Sequence, residues 1–279
     1  MKKLCIDIGG TQLRSELHDG EIILEDVRSS KMYDLVDYIE SLLREHPEIG
    51  FIGISYAGQV HDGIILSAPN IKVSTRNIKE HFESRYDLRL EIDNDLNCAI
   101  MAEADFCNCK NIAALYIGTG TGSAVVDHGK LIRGAGNQAF EIGHIPHRQT
   151  PFTCGCGKNN CLELYASGSG LERWMRYHHI EGDLSFPLLE RSEAGREIKK
   201  QFEEALFFAA ATLVTLSNPE ILVLGGGVVN HNDYLVTLLQ TRLPEFAFAP
   251  SMRNLQIVQS SLQQPGIAGA RLLENNPDI

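Results

Sequence analysis

The sequence predicts an α/β protein of two related domains that face each other across a cleft. One order of elements occurs twice, as a strand, a turn of glycine and threonine, a strand, a hairpin and another strand, over residues 4–27 and again over residues 112–133. The two stretches share this pattern and not their residue identities. A chain of 279 residues with 43% hydrophobic composition is long enough to bury the core of two such domains.

The first stretch predicts three strands, at residues 4–8, 11–18 and 21–27. Asp19-Gly20 between the last two is a strong hairpin signal, because both residues suit the backbone of a tight turn. The apolar spacing that follows predicts a helix, a strand, a helix, a strand and a helix, over residues 33–45, 49–55, 77–86, 88–92 and 96–105. Asp62-Gly63 marks a further hairpin inside residues 58–70.

The second stretch predicts strands at residues 112–117, 123–127 and 130–133, with His128-Gly129 as the hairpin turn. Beyond it we expect helices over residues 169–177, 191–199, 202–216, 233–241 and 266–274, and strands over residues 221–224 and 255–258. The helix over residues 202–216 is apolar on nearly all sides, so we expect it to be buried. The expected domains are residues 1–110, to which the C-terminal helix within residues 264–279 returns, and residues 111–263.

The turn that ends the first strand, Asp7-Ile8-Gly9-Gly10-Thr11, has the chemistry of a phosphate site. Gly9 and Gly10 let backbone N–H groups approach an anion without a Cβ in the way, and Thr11 adds a hydroxyl group. Asp7 can orient Mg²⁺ through water beside the phosphates. Gly-Gly turns are also common where a hairpin merely reverses the chain, so this turn alone leaves both interpretations open.

A second turn of this kind, Gly118-Thr119-Gly120-Thr121-Gly122, lies at the matching place in the second stretch. Two such turns across one cleft can hold a polyphosphate from both sides, which makes each turn a stronger candidate than it is alone. Gly225-Gly226-Gly227 follows a buried strand, and its bare backbone would let a flat ring or a ribose lie against it. A plain βα loop is the other interpretation of this triple glycine.

Polar residues follow the strand over residues 88–92, in the run Asp93-Asn94-Asp95-Leu96-Asn97. Polar side chains at the carboxyl end of a strand suit a ligand crevice, and one of the two aspartates could be a general base. The alternative is a helix N-cap, because Asn and Asp are favoured there. The two interpretations are compatible if Asp93 or Asn94 caps the helix while Asp95 acts as the base. For Asp93 itself, we expect a hydrogen bond at the end of the strand and not a role as the base.

Residues 141–163 bring one histidine and three cysteines within eighteen residues, as His144, Cys154, Cys156 and Cys161. Three thiols and one imidazole at such short range are what a tetrahedral Zn²⁺ requires. Four protein ligands leave no open position, so we expect a structural zinc that does not activate water. We expect the loop that the zinc holds in place to present two neighbouring carboxylates, Glu141 and Glu163, to a substrate.

The charge and the cysteines limit the partners and the compartment. The formal net charge is −11 at pH 7. Because so acidic a surface does not attract DNA phosphates, we expect no nucleic-acid partner. The sequence contains no run of eighteen apolar residues, so we expect no membrane span. Asp7 interrupts the apolar run after the basic start, which argues against a signal peptide, and clustered thiols fit a cytoplasmic chain.

These motifs occur in the order seen in the ROK family, which the chain resembles over nearly its whole length. The resemblance rests on Asp7-Ile8-Gly9-Gly10-Thr11, Asn94-Asp95-Leu96-Asn97, residues 118–122, Glu141-Ile142-Gly143-His144 and Cys154-Gly155-Cys156-Gly157 with Cys161-Leu162-Glu163. The family comprises sugar kinases and related repressors with a two-domain actin-like, RNase-H-like α/β fold. It implies an ATP-dependent sugar kinase that uses Mg²⁺ with ATP and contains a structural Zn²⁺.

The resemblance also implies roles for single residues. Asp95 resembles the catalytic base that takes the proton of the sugar hydroxyl. The implied sugar ligands are Asn94, Glu141, His144 and Glu163, with Gly58 and Asn70 as lesser contacts. The implied phosphate contacts are Gly9, Gly10, Thr11, Gly118, Thr119 and Gly120. Residues 225–227 resemble the adenosine side, and the implied zinc ligands are His144, Cys154, Cys156 and Cys161.

The acceptor that we expect first is the 6-hydroxyl of glucose, and the alternatives are N-acetylmannosamine, N-acetylglucosamine, fructose, mannose and β-glucosides. Kinases of the family usually carry a tryptophan shortly after the Pro-Asn element, but residues 71–76 contain none and the single tryptophan is Trp174. This departure leaves the sugar open. A sugar-binding regulator without catalysis and an actin-like assembling protein are alternatives from other classes. The family allows a homodimer. Its repressors carry an extra N-terminal helix-turn-helix that reads DNA, and we do not expect one in a chain that starts at the first strand.

Overall fold

The computed structural model describes residues 2–67 and 70–275. The chain divides into two compact units, of which the first consists of Met1–Asn108, Lys130–Ala139 and Leu262–Ile279 and the second of Cys109–Gly129 and Phe140–Ser261. The segment Lys130–Ala139 therefore belongs to the first unit, whereas the predicted boundary at residue 110 put it in the second. Pro69 of the Pro-Asn element and residues 276–279 of the predicted C-terminal helix lie outside the described residues.

The secondary structure follows the predicted order. The strands are β1 (Lys2–Ile8), β2 (Gln12–Asp19), β3 (Glu21–Ser29), β4 (Ile49–Tyr56), β5 (Val60–His61), β6 (Ile64–Ile65), β7 (Arg89–Asn94), β8 (Ile112–Ile117), β9 (Thr121–Asp127), β10 (Lys130–Leu131), β11 (Ile221–Gly225) and β12 (Gln256–Gln259). The helices are α1 (Leu35–Glu45), α2 (Ile78–Glu83), α3 (Asp95–Cys107), α4 (Gly168–Tyr177), α5 (Phe186–Leu189), α6 (Glu193–Ser217), α7 (Gly227–Asn230), α8 (Tyr234–Arg242) and α9 (Pro265–Leu272).

The sheet of the first unit has the strand order β3-β2-β1-β4-β7. The three predicted strands of the first stretch, β1, β2 and β3, pair as an antiparallel meander, and β4 and β7 extend the sheet in parallel. Helix α9 packs against α3, β1 and β4. The approach is close because a Cβ on Gly269 would collide with the backbone carbonyl group of Cys98, so the helix contacts its neighbours through small residues.

The second sheet has the strand order β10-β9-β8-β11-β12. β8 pairs antiparallel with β9 and parallel with β11, which pairs in parallel with β12. This is the connection order of the first sheet, so the predicted repeat is confirmed. The turn His128-Gly129 has φ angles of 49° and 76°, the left-handed conformation that its hairpin signal predicts.

Helix α6 corrects two expectations. The predicted helices at residues 191–199 and 202–216 are one continuous helix, Glu193–Ser217, because Lys200-Gln201 between them are good helix formers. The helix is also not buried on all sides, since Phe208 and Leu216 are 43% and 75% exposed. Among the helices of the described residues, α6 included, none has the length and apolar character of a membrane span.

Candidate active site

The junction of β7 and α3 carries the predicted catalytic base. Asn94 caps α3, since its side-chain oxygen accepts a hydrogen bond from the Leu96 backbone N–H at 2.9 Å. Asp95 is then the first residue of α3, where the helix dipole favours a carboxylate. It is half-buried, and one of its oxygens accepts from the same N–H at 3.0 Å. The cap and the proposed base are therefore different residues, as the sequence allowed.

Gly58 lies beside this junction. The side-chain amide of Asn94 donates to the Gly58 carbonyl oxygen at 3.1 Å, which joins two of the predicted sugar contacts. A Cβ on Gly58 would lie 2.5 Å from the Ser67 carbonyl oxygen and 2.6 Å from the Tyr56 ring, so a larger residue does not fit without a shift of the backbone. Asn70, the other lesser contact, is exposed and has a φ of 62°, which asparagine tolerates better than most residues.

The first glycine turn joins β1 to β2. It is closed by a hydrogen bond of 2.9 Å from the Gly9 backbone N–H to the Gln12 carbonyl oxygen. Gly9 and Gly10 are partly exposed and Thr11 is exposed, so their backbone and hydroxyl groups are accessible to a ligand. Because the Gly9 N–H is engaged within the turn, the groups of this turn that remain candidates for phosphate binding are the Gly10 backbone and the Thr11 hydroxyl group.

Asp7 lies at the end of β1, below this turn. The Ser55 hydroxyl group donates to its carboxylate at 2.8 Å, and the Arg14 guanidinium lies 3.9 Å away. Burial raises the pKa of the Asp7 carboxyl group above its usual value, while Ser55 and Arg14 act in the opposite direction. One carboxylate near an accessible turn fits a Mg²⁺ ion that is held through water.

The second glycine turn lines a cavity of about 500 Å³ in the second unit, a volume typical of small-molecule sites. The Gly118 and Thr119 carbonyl oxygens accept hydrogen bonds of 2.9 and 3.1 Å from the backbone N–H groups of Gly168 and Ser169, which fixes the turn against the start of α4. Gly227 borders the same cavity. Further lining residues that the sequence did not single out are Ser169, Leu171, Phe186, Val228, His231 and Asn232.

The triple glycine after β11 has three different environments. A Cβ on Gly225 would lie 2.6 Å from the Tyr116 ring. Gly226 has a φ of 89°, and a Cβ there would lie 2.5 Å from the Ile117 carbonyl oxygen. Gly227 begins α7, and a Cβ there would meet no atom within 4 Å. The first two glycines therefore allow a close backbone packing, and the third faces open space.

We expect Gly226→Ala to lower the free energy of unfolding by about 2 kcal/mol, because alanine would adopt a left-handed conformation and collide with Ile117. Gly227→Ala is the matched control, and its effect should stay within about 0.5 kcal/mol. Denaturant unfolding of both variants measures the difference. Equal stability of the two variants would show that Gly226 is not needed for the backbone.

The predicted zinc ligands converge in the second unit. One ligand atom from each of His144, Cys154, Cys156 and Cys161 lies within 4.8 Å of the others. The Cys154 sulfur lies 3.5 Å from His144 Nδ1, and the Cys156 and Cys161 sulfurs are 3.3 Å apart. Three sulfurs and one imidazole nitrogen at these distances fit tetrahedral zinc, whose ligands lie about 2.0–2.3 Å from the ion.

Glu141 and Glu163 lie beside these ligands. Glu163 accepts a hydrogen bond from the Cys154 sulfur at 2.9 Å, and its other oxygen lies 3.2 Å from the position of a Cβ on Gly120. Glu141 is exposed by its accessible surface, but the protein atoms around its carboxyl group exclude water and raise the pKa of that group. The neighbouring Glu163 carboxylate also raises this pKa, and His144 lowers it. Glu163 thus stands between the ligand cluster and the second glycine turn.

The backbone around Glu141 is tightly fixed. Phe140 has a φ of 60°, unusual for a bulky residue, and its carbonyl oxygen accepts a hydrogen bond from the Ser123 hydroxyl at 2.6 Å. A Cβ on Gly143 would collide with the Thr121 carbonyl oxygen, so the short helical turn over Ile142–His144 lies directly on β9. The backbone that carries Glu141 is therefore held by close packing of its neighbours.

The sequence analysis missed two residues at the β7–α3 junction. Arg133 and Asn137 both donate hydrogen bonds to the Asp93 carboxylate. Neither residue belongs to a recognisable motif, and they are 40 and 44 positions away from Asp93 in the chain. A sequence pattern of closely spaced residues therefore could not have predicted their contact with Asp93.

Comparison with known proteins establishes the family. The ROK family model matches residues 3–276. A Thermotoga maritima protein named glucokinase is 27% identical over 97% of this chain and 96% of its own. A Pectobacterium carotovorum protein named N-acetyl-D-glucosamine kinase is 30% identical over 85% of this chain and 87% of its own. The structure of a ROK hexokinase from Thermus thermophilus matches with a TM-score of 0.82 and 24% identity, over 99% of this chain and 100% of that one.

The fold and the site therefore define the class of the protein, an α/β protein with the two-domain actin-like fold. The chain belongs to the ROK family.

Proposed function

We propose that the protein is an ATP-dependent sugar kinase, which transfers the γ-phosphoryl group of ATP to a hydroxyl group of a hexose. The observation that carries this proposal is the cavity of about 500 Å³ that Gly118, Thr119 and Gly227 line together. Glycine turns that were assigned separately to phosphate and adenosine thus border one space of suitable size. The names of the glucokinase and N-acetyl-D-glucosamine kinase relatives support the same class.

Asp95 is the general base of the proposed reaction. It takes the proton of the acceptor hydroxyl while that oxygen bonds to the γ-phosphorus, the bond from phosphorus to the bridging oxygen breaks, and ADP leaves. Phosphoryl transfer depends on positioning and charge stabilisation more than on covalent help, so a base and a set of N–H donors suffice. Asp7 would hold Mg²⁺, which neutralises phosphate charge when bound.

Glu141, His144 and Glu163 recognise the sugar in this proposal. A hexose offers several hydroxyl groups and no charge, so carboxylates and an imidazole that accept and donate hydrogen bonds suit it. The four-residue ligand set, His144, Cys154, Cys156 and Cys161, would hold a structural Zn²⁺, which crosslinks the loop when bound. The ligands and the sugar contacts share one loop, and this connects metal content to sugar binding.

Glucose, phosphorylated at its 6-hydroxyl, is the acceptor that we propose first. N-acetylmannosamine, N-acetylglucosamine and fructose are the alternatives within the class, and the two relatives are themselves named for different sugars. Residues 71–76, which lack the tryptophan usual after the Pro-Asn element, make the sugar-contacting loop of this chain distinctive.

A coupled ADP-release assay with ATP, Mg²⁺ and a panel of hexoses and N-acetylhexosamines tests the proposal. We expect release that depends on one sugar or a few related sugars, with glucose among the best. A preference for an N-acetylhexosamine would keep the class and change the acceptor. Sugar binding without ADP release from any member of the panel would contradict the proposal and favour a sugar-binding regulator.

A further inference from the structure

A hydrogen-bond network surrounds the buried carboxylate of Asp93, two residues before the proposed base. Asp93 is 1% exposed. Its Oδ1 accepts hydrogen bonds from the Asn94 backbone N–H at 2.7 Å and from the side-chain amides of Asn97 and Asn137, both at 2.9 Å. Its Oδ2 accepts from the Arg133 guanidinium. Asp93 therefore has no role as a base in the proposed reaction, because its oxygens are engaged by four donors.

The network closes on itself. Asn137 Oδ1 accepts from Arg133 Nη1 at 2.9 Å and from the Asn97 amide at 3.0 Å. The Asn137 amide makes its second donation to the Val60 carbonyl oxygen at 2.9 Å. Each N–H of the two amides and of Arg133 Nη1 thus has an acceptor. A polar network in which these donors are all paired rigidifies the elements that it joins.

The network holds both sides of Asp95. Asp93 ends β7 two residues before it, and Asn97 lies in the first turn of α3 two residues after it. Fixing both residues fixes the direction in which α3 leaves β7, and with it the position of Asp95. A displacement of about 1 Å in a catalytic group can cost about a hundredfold in rate.

We propose that Arg133 and Asn137 are positioning residues for Asp95, which they hold through Asp93 and Asn97. They come from the segment Lys130–Ala139, which belongs to the same unit as the base. The inference rests on the proposed kinase function. It adds two residues that do not touch the substrates and act on the base through Asp93 and Asn97. A purely structural network would lower stability without changing the turnover of each folded molecule.

Arg133→Met and Asn137→Gly test this role. We expect each variant to lower kcat by about 10–100-fold while the KM for the sugar changes by less than about threefold, because the base is displaced while the sugar contacts Glu141, His144 and Glu163 lie outside the network. Asn137→Gly removes the amide but keeps access to the native φ of 57°, so it serves if Arg133→Met fails to fold. Arg133→Lys retains a cation with N–H donors and should recover part of the activity.

Lys79→Met is the matched control. Lys79 lines the same cavity of about 520 Å³ as Arg133 in the first unit, but it pairs with Glu91 at 2.9 Å instead of with the network. Its loss should leave kcat within about twofold of the wild type. Amide hydrogen exchange gives a second readout, and we expect faster exchange at residues 94–97 in Arg133→Met than in Lys79→Met.

An active wild type with unchanged kcat in both Arg133→Met and Asn137→Gly would overturn the positioning role alone. So would unchanged exchange at residues 94–97, or an equal loss of kcat in Lys79→Met. A wild type that phosphorylates no sugar would contradict the proposed function, and the positioning role would fall with it.

Discussion

Asp95→Asn is expected to lower kcat by about 10²–10⁴-fold while sugar binding and metal content stay near those of the wild type. Asparagine keeps an oxygen that can accept the 3.0 Å hydrogen bond from the Leu96 N–H, so the first turn of α3 should persist. What the amide cannot do is take a proton from the acceptor hydroxyl group. Steady-state ADP release gives kcat, and calorimetry gives the dissociation constant of the sugar.

Asp105→Asn is the control for this substitution, because Asp105 is exposed on the same helix, near the other end. Its activity should remain within about twofold of the wild type, since exposed substitutions away from a site have small effects. Full activity of Asp95→Asn would remove the base assignment. Loss of sugar binding together with kcat would point instead to a role of Asp95 in holding the sugar.

Cys161→Ser is expected to reduce the zinc content from about one ion per chain to almost none. A serine hydroxyl group does not replace a thiolate as a zinc ligand, and Cys161 is fully buried next to Leu162, so the loop should loosen. Because that loop carries His144 and Glu163, kcat/KM for the sugar should fall by at least about tenfold. Elemental analysis and the ADP-release assay measure the two effects.

Cys109→Ser is the matched control, because Cys109 lies outside the ligand set and donates to the Asn111 carbonyl oxygen, as serine can. It should keep its zinc and its activity. A folded wild-type protein without bound zinc would contradict the assignment of the four ligands. A zinc-free Cys161→Ser variant with full activity would show that the metal is not needed to hold the sugar contacts in place.

Much of the fold could be predicted because its signals are local. Hairpin turns such as Asp62-Gly63, with φ angles of 48° and 77°, depend on the two residues that form them. The repeated sheet order followed from two similar runs of elements. The exposure of Phe208 on α6 could not be predicted in the same way, because an apolar sequence does not say which of its faces the rest of the chain covers.

In the candidate site, too, the residues with a local sequence signal could be predicted, and those brought together only by folding could not. The cluster of His144, Cys154, Cys156 and Cys161 and the helix cap before Asp95 could be predicted, because residues within one loop or one strand end have a readable spacing. Arg133 and Asn137 were missed because their partner Asp93 is distant in sequence and the contact exists only after folding. The boundary at residue 110 missed the segment Lys130–Ala139 for the same reason, since it returns to the first unit from within the second stretch.

The identity of the product tests the central claim most directly. Wild-type protein would be incubated with ATP, Mg²⁺ and the best acceptor of the panel, and the products would be followed by phosphorus and proton NMR. We expect ADP and a sugar phosphate in equal amounts, with the phosphorus coupled to the two protons on C6 when glucose is the acceptor. ADP accompanied by inorganic phosphate, or no ADP with any sugar, would contradict the assignment of a sugar kinase.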